Sequence, residues 1–229
     1  MRDWAEMTRD ERLARLHAAR LYLVTDPEPG GRPLEGVLTA ALAGGVDIVQ
    51  IRAKDAGDGE ILAAAAVARR LCDEAGALLI VNDRPDLVAP AHADGVHIGQ
   101  EDGTVADARA KAGDDVIVGR STHAPAQLAA AHDDGADYAA VGPVYATPTK
   151  PGRAPVGVEY VHHAAAHAQL PWFAIGGLSP ENLGEVVAAG AQRIVVVRAI
   201  TEADDPRAAA AALRGVLDAG ATPAGALRG

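Results

Sequence analysis

The sequence predicts an α/β chain folded as a single (β/α)8 TIM barrel with an extra N-terminal helix. Two observations carry that reading and a third excludes its nearest rival. Short apolar runs rich in Val and Ile recur eight times, at 21–25, 47–53, 78–82, 95–99, 116–121, 138–143, 172–176 and 193–198. Ala-rich stretches of helical composition lie between them, at 34–43, 60–75, 85–91, 105–111, 125–134, 158–169, 180–189 and 206–217. Runs apolar on both faces mark strands of a parallel sheet covered by helices, and eight such units in 229 residues match a barrel. The runner-up is a doubly wound open sheet. Against it, no G-x-G-x-x-G opens the first helix.

Each element has its own justification. The start, MRDWAEMTRDERLARL, is charged and helix-like, so residues 1–20 are expected to form a helical extension. The barrel is expected over 21–218, beginning with LYLVT. Several helices stop at glycine before the next strand, at Gly44-Gly45, Gly76, Gly135 and Gly190, as a left-handed C-terminal cap requires. Ser179-Pro180-Glu181-Asn182 places a cap residue before Pro, which predicts a helix starting at Pro180. Residues 219–229 read as a disordered tail. No internal domain boundary shows.

Composition excludes several function classes. The net charge of −10 argues against generic nucleic-acid or anionic-membrane binding. One cysteine, Cys72, rules out an intramolecular disulfide and a cysteine-rich zinc site. No signal-peptide core or long apolar span is evident, so the chain reads as cytoplasmic. The implied partners are small-molecule substrates, with no nucleic acid and no membrane; a homo-oligomer is compatible with the sequence.

The unusual residues collect at strand C-terminal ends, where barrels carry their chemistry. DIVQIRAK places Gln50, Arg52 and Lys54 at alternate positions, so a strand there would aim an amide and two cations one way. Such cations call for an anion, because an unpaired desolvated charge is costly. Lysine is scarce: 18 Arg but only Lys54, Lys111 and Lys150. A lysine is a compact point charge suited to phosphate oxygens. Asn82-Asp83 follows the third strand, and Gln100-Glu101-Asp102 the fourth. Asp83 and Asp102 are the Mg²⁺ candidates, since Mg²⁺ takes oxygen ligands and completes its shell with water and substrate phosphate. Their plain alternatives are a helix cap at Asp83 and a turn before Gly103 at Asp102.

Further round the sheet, Ser121-Thr122-His123 ends the fifth strand and the lid-like loop ATPTKPGRAP follows the sixth. Gly176-Gly177 follows the seventh strand and Val197-Arg198 closes the eighth, where many barrels bind phosphate. His97, inside the fourth strand, reads equally as a core histidine or a substrate contact. His163 and His167 have i,i+4 spacing but sit on an outer helix, so they read as surface residues. No G-x-S-x-G, H-E-x-x-H or Walker motif is present.

As an ordered set, LYLVTD, VQIRAK, IVNDR, DGVHIGQED, GRSTH, GPVYATPTK, AIGG and VVVRAI resemble the thiamine-phosphate synthase family over roughly residues 21–217. The resemblance implies a transferase of thiamine biosynthesis. It would condense 4-amino-2-methyl-5-hydroxymethylpyrimidine diphosphate with 4-methyl-5-(2-hydroxyethyl)thiazole phosphate and release pyrophosphate, with Mg²⁺ as cofactor. It implies that Gln50, Arg52, Lys54, Asn82, Ser121 and Lys150 hold the pyrimidine diphosphate, with Lys150, Ser121 and Arg52 catalytic. Thr147, Thr149, Gly177, Val197 and Arg198 would hold the thiazole phosphate, and Asp83 and Asp102 the metal. Two positions depart from the usual pattern: Ala53 replaces an acidic residue, and Arg198 replaces Ser. Two alternatives remain on this barrel: a thiazole tautomerase-like isomerase, and an inactive barrel that binds thiamine intermediates. The isomerase group typically carries His where this chain has Pro143.

Overall fold

The computed structural model describes residues 7–147 and 154–220. Eight strands close into one parallel barrel, each paired with its neighbours in chain order. They are β1 (Leu21–Thr25), β2 (Ile48–Ile51), β3 (Leu78–Asn82), β4 (Gly95–Ile98), β5 (Ile117–Thr122), β6 (Tyr138–Val141), β7 (Trp172–Ile175) and β8 (Ile194–Val196). β8 returns to β1 with Leu21 opposite Ile194. Outside the sheet lie α2 (Leu34–Ala43), α3 (Asp58–Ala75), α4 (Val105–Ala112), α5 (Pro125–Asp133), α6 (Gly157–His167), α7 (Leu183–Ala188), α8 (Arg198–Thr201) and α9 (Pro206–Gly220). The N-terminal helix α1 (Arg9–Ala18) precedes them, as expected.

Alternation along the strands divides the core in two. One set of side chains packs outward against the helices: Leu23, Val49, Ile51, Leu79, Val96, Val118 and Ala139 are among its buried members. The other fills the barrel: Tyr22, Val24, Ile48, Leu78, Ile80, Ile117, Tyr138, Phe173 and Val195. Leu16 of α1, fully buried, belongs to this inner set. So α1 closes the N-terminal mouth. A Thr8–Glu11 capping box starts the helix. Arg9 donates to the Val116 carbonyl at 2.8 Å and pairs with Asp137 at 2.5 Å. Arg12, 4% exposed, faces the fully buried Asp94 at 3.4 Å. Arg69 reaches the same carboxylate at 2.8 Å.

Four element boundaries correct the sequence reading. Residues 85–91 form no α-helix: a single 3-10 turn covers Pro85–Leu87 and turns follow. Pro90 explains this, since an interior proline removes a donor and clashes with the carbonyl four residues back. The seventh helix starts at Leu183, not Pro180. There the Asn182 side chain accepts from the Ser179 amide at 2.9 Å and donates to the Gly177 carbonyl at 2.8 Å. These bonds hold 179–182 as a turn. β8 ends at Val196, so Arg198 opens the short helix α8 instead of closing a strand. In the expected tail, Ala219 and Gly220 complete α9, and 221–229 lie outside the described residues. No helix among the described residues is long and apolar enough to cross a membrane.

Candidate active site

A cavity of about 210 Å³ opens at the C-terminal ends of the strands. Gln50, Arg52, Asn82 and Ser121 line it from β2, β3 and β5, and Thr147, Gly177, Val197 and Arg198 from the side of β6 to β8. Four residues predicted for each substrate therefore face one space; Lys54, Asp83 and Asp102 are not among its lining residues. Thr149 and Lys150 lie outside the described residues.

The β2 end differs from the sequence reading in one respect. The strand stops at Ile51, so Lys54 sits in a turn. Gln50 and Arg52 still line the cavity, because the Arg52 amide continues the ladder by donating to the Thr25 carbonyl at 2.8 Å. Lys54 instead pairs with Asp83 at 3.2 Å, and half of its side chain is exposed.

Asp83 is not a helix cap. It turns the chain at φ 59°, a left-handed conformation that Asp tolerates better than most residues. Its carboxylate accepts from Asn82 Nδ2 at 2.7 Å. Its pKa is raised above the usual carboxylate range by burial first and by the Asp102 carboxylate second, with Lys54 opposing. Asp102 folds back to accept from the Gly99 amide at 2.9 Å. A carboxylate whose ionisation is opposed by burial and by a neighbouring carboxylate marks a place where positive charge is favoured. Among the described residues no set of three His, Cys, Asp or Glu side chains is placed to share an ion. The donor set fits Mg²⁺, which is commonly held by one or two carboxylates plus water and substrate phosphate.

On the far side, Gly176 and Gly177 take φ 109° and 65°. A Cβ at Gly176 would lie 2.5 Å from Pro143 Cα, and one at Gly177 would lie 2.8 Å from Tyr145 Cβ. Conformation and close approach both demand glycine here. Tyr145 in turn donates to Glu185 of α7 at 2.6 Å, which ties the loop after β6 to the neighbouring unit. Arg198 lines the cavity with 47% of its side chain exposed and lies 3.9 Å from Glu202. An exposed pair that long is worth little.

The sequence reading gave no role to several cavity residues, Tyr22, Val24 and His123 among them. Tyr22 and Val24 rise from β1, and His123 follows β5 with Nδ1 bonded to the Gly142 carbonyl. His97, left open, is buried and bonded at both ring nitrogens, to Tyr138 Oη at 3.0 Å and Ser121 Oγ at 2.9 Å. A signal was available for Tyr22: it stands on the inward register of β1, two residues before Val24. His163, His167 and His132 line a small separate depression of about 50 Å³ at α5 and α6, away from this mouth.

Fold and site together define a (β/α)8-barrel enzyme with its working mouth at the C-terminal strand ends. Residues 21–200 match the family model described as thiamine monophosphate synthase. A thiamine-phosphate synthase of Thermobifida fusca is 56% identical over 203 residues, covering 87% of this chain and 93% of its own. One of Saccharopolyspora erythraea is 54% identical over 209 residues, covering 88% and 94%. A solved thiamine phosphate pyrophosphorylase of Pyrococcus furiosus superposes with a TM-score of 0.82 at 30% identity, covering 90% of this chain and 98% of that one. The chain belongs to the thiamine-phosphate synthase family.

Proposed function

We propose that the chain transfers the pyrimidinylmethyl group of 4-amino-2-methyl-5-hydroxymethylpyrimidine diphosphate to the ring nitrogen of 4-methyl-5-(2-hydroxyethyl)thiazole phosphate. The products are thiamine phosphate and pyrophosphate. One observation carries the reading: Gln50, Arg52, Asn82 and Ser121, expected for the diphosphate, and Thr147, Gly177, Val197 and Arg198, expected for the thiazole phosphate, border the same cavity. Two substrates that must react with each other need such a shared space.

The residues divide the work. Gln50 and Asn82 orient the pyrimidine, and Arg52, Lys54, Ser121 and Lys150 surround the diphosphate. These charges stabilise pyrophosphate as it departs, which is the costly part of the reaction. Asp83 and Asp102 would hold Mg²⁺, which supplies further charge neutralisation to the leaving diphosphate. The aminopyrimidine releases electron density to its methylene, so departure precedes attack and the thiazole nitrogen is the nucleophile. No protein nucleophile is required. Thr147, Thr149, Gly177, Val197 and Arg198 grip the thiazole phosphate, a remote handle that fixes the angle of approach. The isomerase alternative needs a proton-transfer group on the loop after β6, and Pro143 offers none. The reading places the enzyme in the cytoplasm.

Turnover with both substrates, with Mg²⁺ and with a chelator, tests the proposal. Formation of thiamine phosphate and pyrophosphate in equal amounts, dependent on Mg²⁺, is the expected result. Isomerisation of a thiazole without consumption of the diphosphate, or binding without turnover, would overturn it.

A further inference from the structure

Along the floor of the cavity a line of hydrogen bonds crosses the inside of the barrel. Gln50 Nε2 donates to Tyr22 Oη at 2.5 Å. Tyr22 Oη lies 2.9 Å from Tyr138 Oη, and Tyr138 Oη lies 3.0 Å from His97 Nδ1. His97 Nε2 lies 2.9 Å from Ser121 Oγ. The line joins β2, β1, β6, β4 and β5. All five side chains are buried, none more than 7% exposed. Phe173 packs edge-on against both tyrosines, with centroids 5.6 Å from each. Gly119, paired with Tyr138 across β5 and β6, leaves room for its ring.

Gln50 and Ser121 at the two ends of this line border the cavity, as do Tyr22 and His97; Tyr138 does not. Burial raises the pKa of both tyrosines well above the ordinary value, so each hydroxyl keeps its single proton. A hydroxyl with one proton can donate once. With a neutral His97 the line can therefore run in only two directions. In one, Ser121 donates to His97 Nε2, His97 Nδ1–H to Tyr138, Tyr138 to Tyr22 and Tyr22 to the Gln50 carbonyl. In the other, every donor reverses.

We infer that Tyr22 and Tyr138 are positioning residues for the condensation, holding His97 in its Nε2–H form so that the Ser121 hydroxyl proton is free for a diphosphate oxygen. The inference rests on the proposed function, which puts the diphosphate at Ser121. A diphosphate oxygen only accepts, so Ser121 must donate to it. Ser121 then has no proton for His97, and Nε2 must carry one. A neutral imidazole with Nε2–H has Nδ1 as acceptor, which commits the Tyr138 proton. Tyr138 then accepts from Tyr22, and Tyr22 accepts from the Gln50 amide group. That is the Gln50 orientation observed. It leaves the Gln50 carbonyl free for the donor groups of an aminopyrimidine. Choosing the anion at one end thus fixes the hydrogen-bonding face offered to the base at the other.

The test reads the His97 tautomer by long-range ¹H–¹⁵N correlation on ¹⁵N-histidine-labelled protein, with the His97 signals identified by their loss in His97→Asn. Wild-type protein should show Nε2 protonated and Nδ1 bare, a result that requires no variant to fold. Tyr138→Phe and Tyr22→Phe should populate the other tautomer and lower kcat about 10- to 100-fold, the loss of one hydrogen bond to a charged group. Tyr160→Phe is the control. Its hydroxyl donates to Thr122 Oγ1 at 2.8 Å away from the line, so its removal should leave tautomer and kcat unchanged. A wild-type Nδ1–H tautomer, or a Tyr138→Phe protein with wild-type tautomer and kcat, overturns the inference. If the tautomer is Nε2–H but Ser121→Ala changes neither kcat nor KM for the pyrimidine diphosphate, the placement of the diphosphate has failed instead, and the inference falls with it.

Discussion

Adding one methyl group at Gly119 should damage both stability and turnover. A Cβ there would sit 2.1 Å from Tyr138 Cζ, 2.3 Å from Cε1 and 2.5 Å from Oη. Something must move. The ring has little room to do so: Tyr138 is fully buried, with Tyr22 and Phe173 at centroid distances of 6.0 and 5.6 Å. Overpacking of this kind costs about 1–3 kcal/mol. For a chain of this length each kcal/mol lowers Tm by roughly 2–4 °C, so Gly119→Ala should melt about 2–12 °C below wild type. The displaced hydroxyl also loses its bonds to Tyr22 and His97, so kcat should fall as it does in Tyr138→Phe. Gly36→Ala makes the comparison. Gly36 lies within α2 on an exposed face, and a Cβ there meets nothing within 4 Å. Alanine in that helix should stabilise by about 0.5–1 kcal/mol. Calorimetry and steady-state kinetics on the two variants decide the matter. A Gly119→Ala protein that melts within about a degree of wild type, less than even the smallest expected cost, and keeps its kcat would refute the steric reasoning.

Asp83→Ala and Asp102→Ala should fold normally by circular dichroism and lose most activity; a double variant that turns over at wild-type rate in chelator removes them from the metal site. The raised Asp83 pKa has a sign. Stability from its tighter hold on a proton is present below the ordinary carboxylate value and is lost as pH rises through the raised one. Mg²⁺ should therefore raise Tm above that range and have no effect once Asp83 is protonated, which thermal melts across pH will show. Lys150→Ala should cost about 2–4 kcal/mol in the chemical step, as the loss of one preorganised charge donor does. Lys111→Ala, on the exposed end of α4, should cost almost nothing; equal rates for the two variants would end the argument from lysine scarcity. Arg198→Ser should raise KM for the thiazole phosphate while kcat and KM for the diphosphate stay constant. Unchanged kinetics for both substrates would leave Arg198 as the surface partner of Glu202.

The periodic part of the fold was legible. LYLVT and LLIVN, apolar up to a polar last residue, match β1 and β3 residue for residue, and α2 spans 34–43 as read. Pattern fails where a side chain competes with the backbone. Asn182 delays α7 by bonding to Ser179 and Gly177, and Pro90 prevents a helix that the Ala-rich composition suggested. The cavity lining was legible where a polar side chain broke an apolar run, as at Gln50 and Arg52. It was not legible where the working groups look like core. Tyr22 and Tyr138 sit in apolar strands, and alternation along the strand marks them as inward but not as working groups. Their partners come from strands 28 and 41 residues distant in sequence, so the hydroxyl line exists only once the barrel has closed.

The helix that plugs the barrel floor lies at the end opposite the cavity mouth, yet it sets the medium in which the cavity residues act. Leu16 and Ala19 pack beneath Tyr22, Ile48, Leu78 and Ile117. Without them water would enter the barrel from below and reach the tyrosine hydroxyls. Each hydroxyl could then exchange its partner for solvent, and the sense of the hydrogen-bond line would no longer be inherited from one end to the other. Low polarity strengthens every bond in such a line. The extension thus acts as an insulator. It keeps dry a path that opens to solvent only at the mouth, and a deletion on the face opposite the substrates would be felt as a loss of order among the groups that orient them.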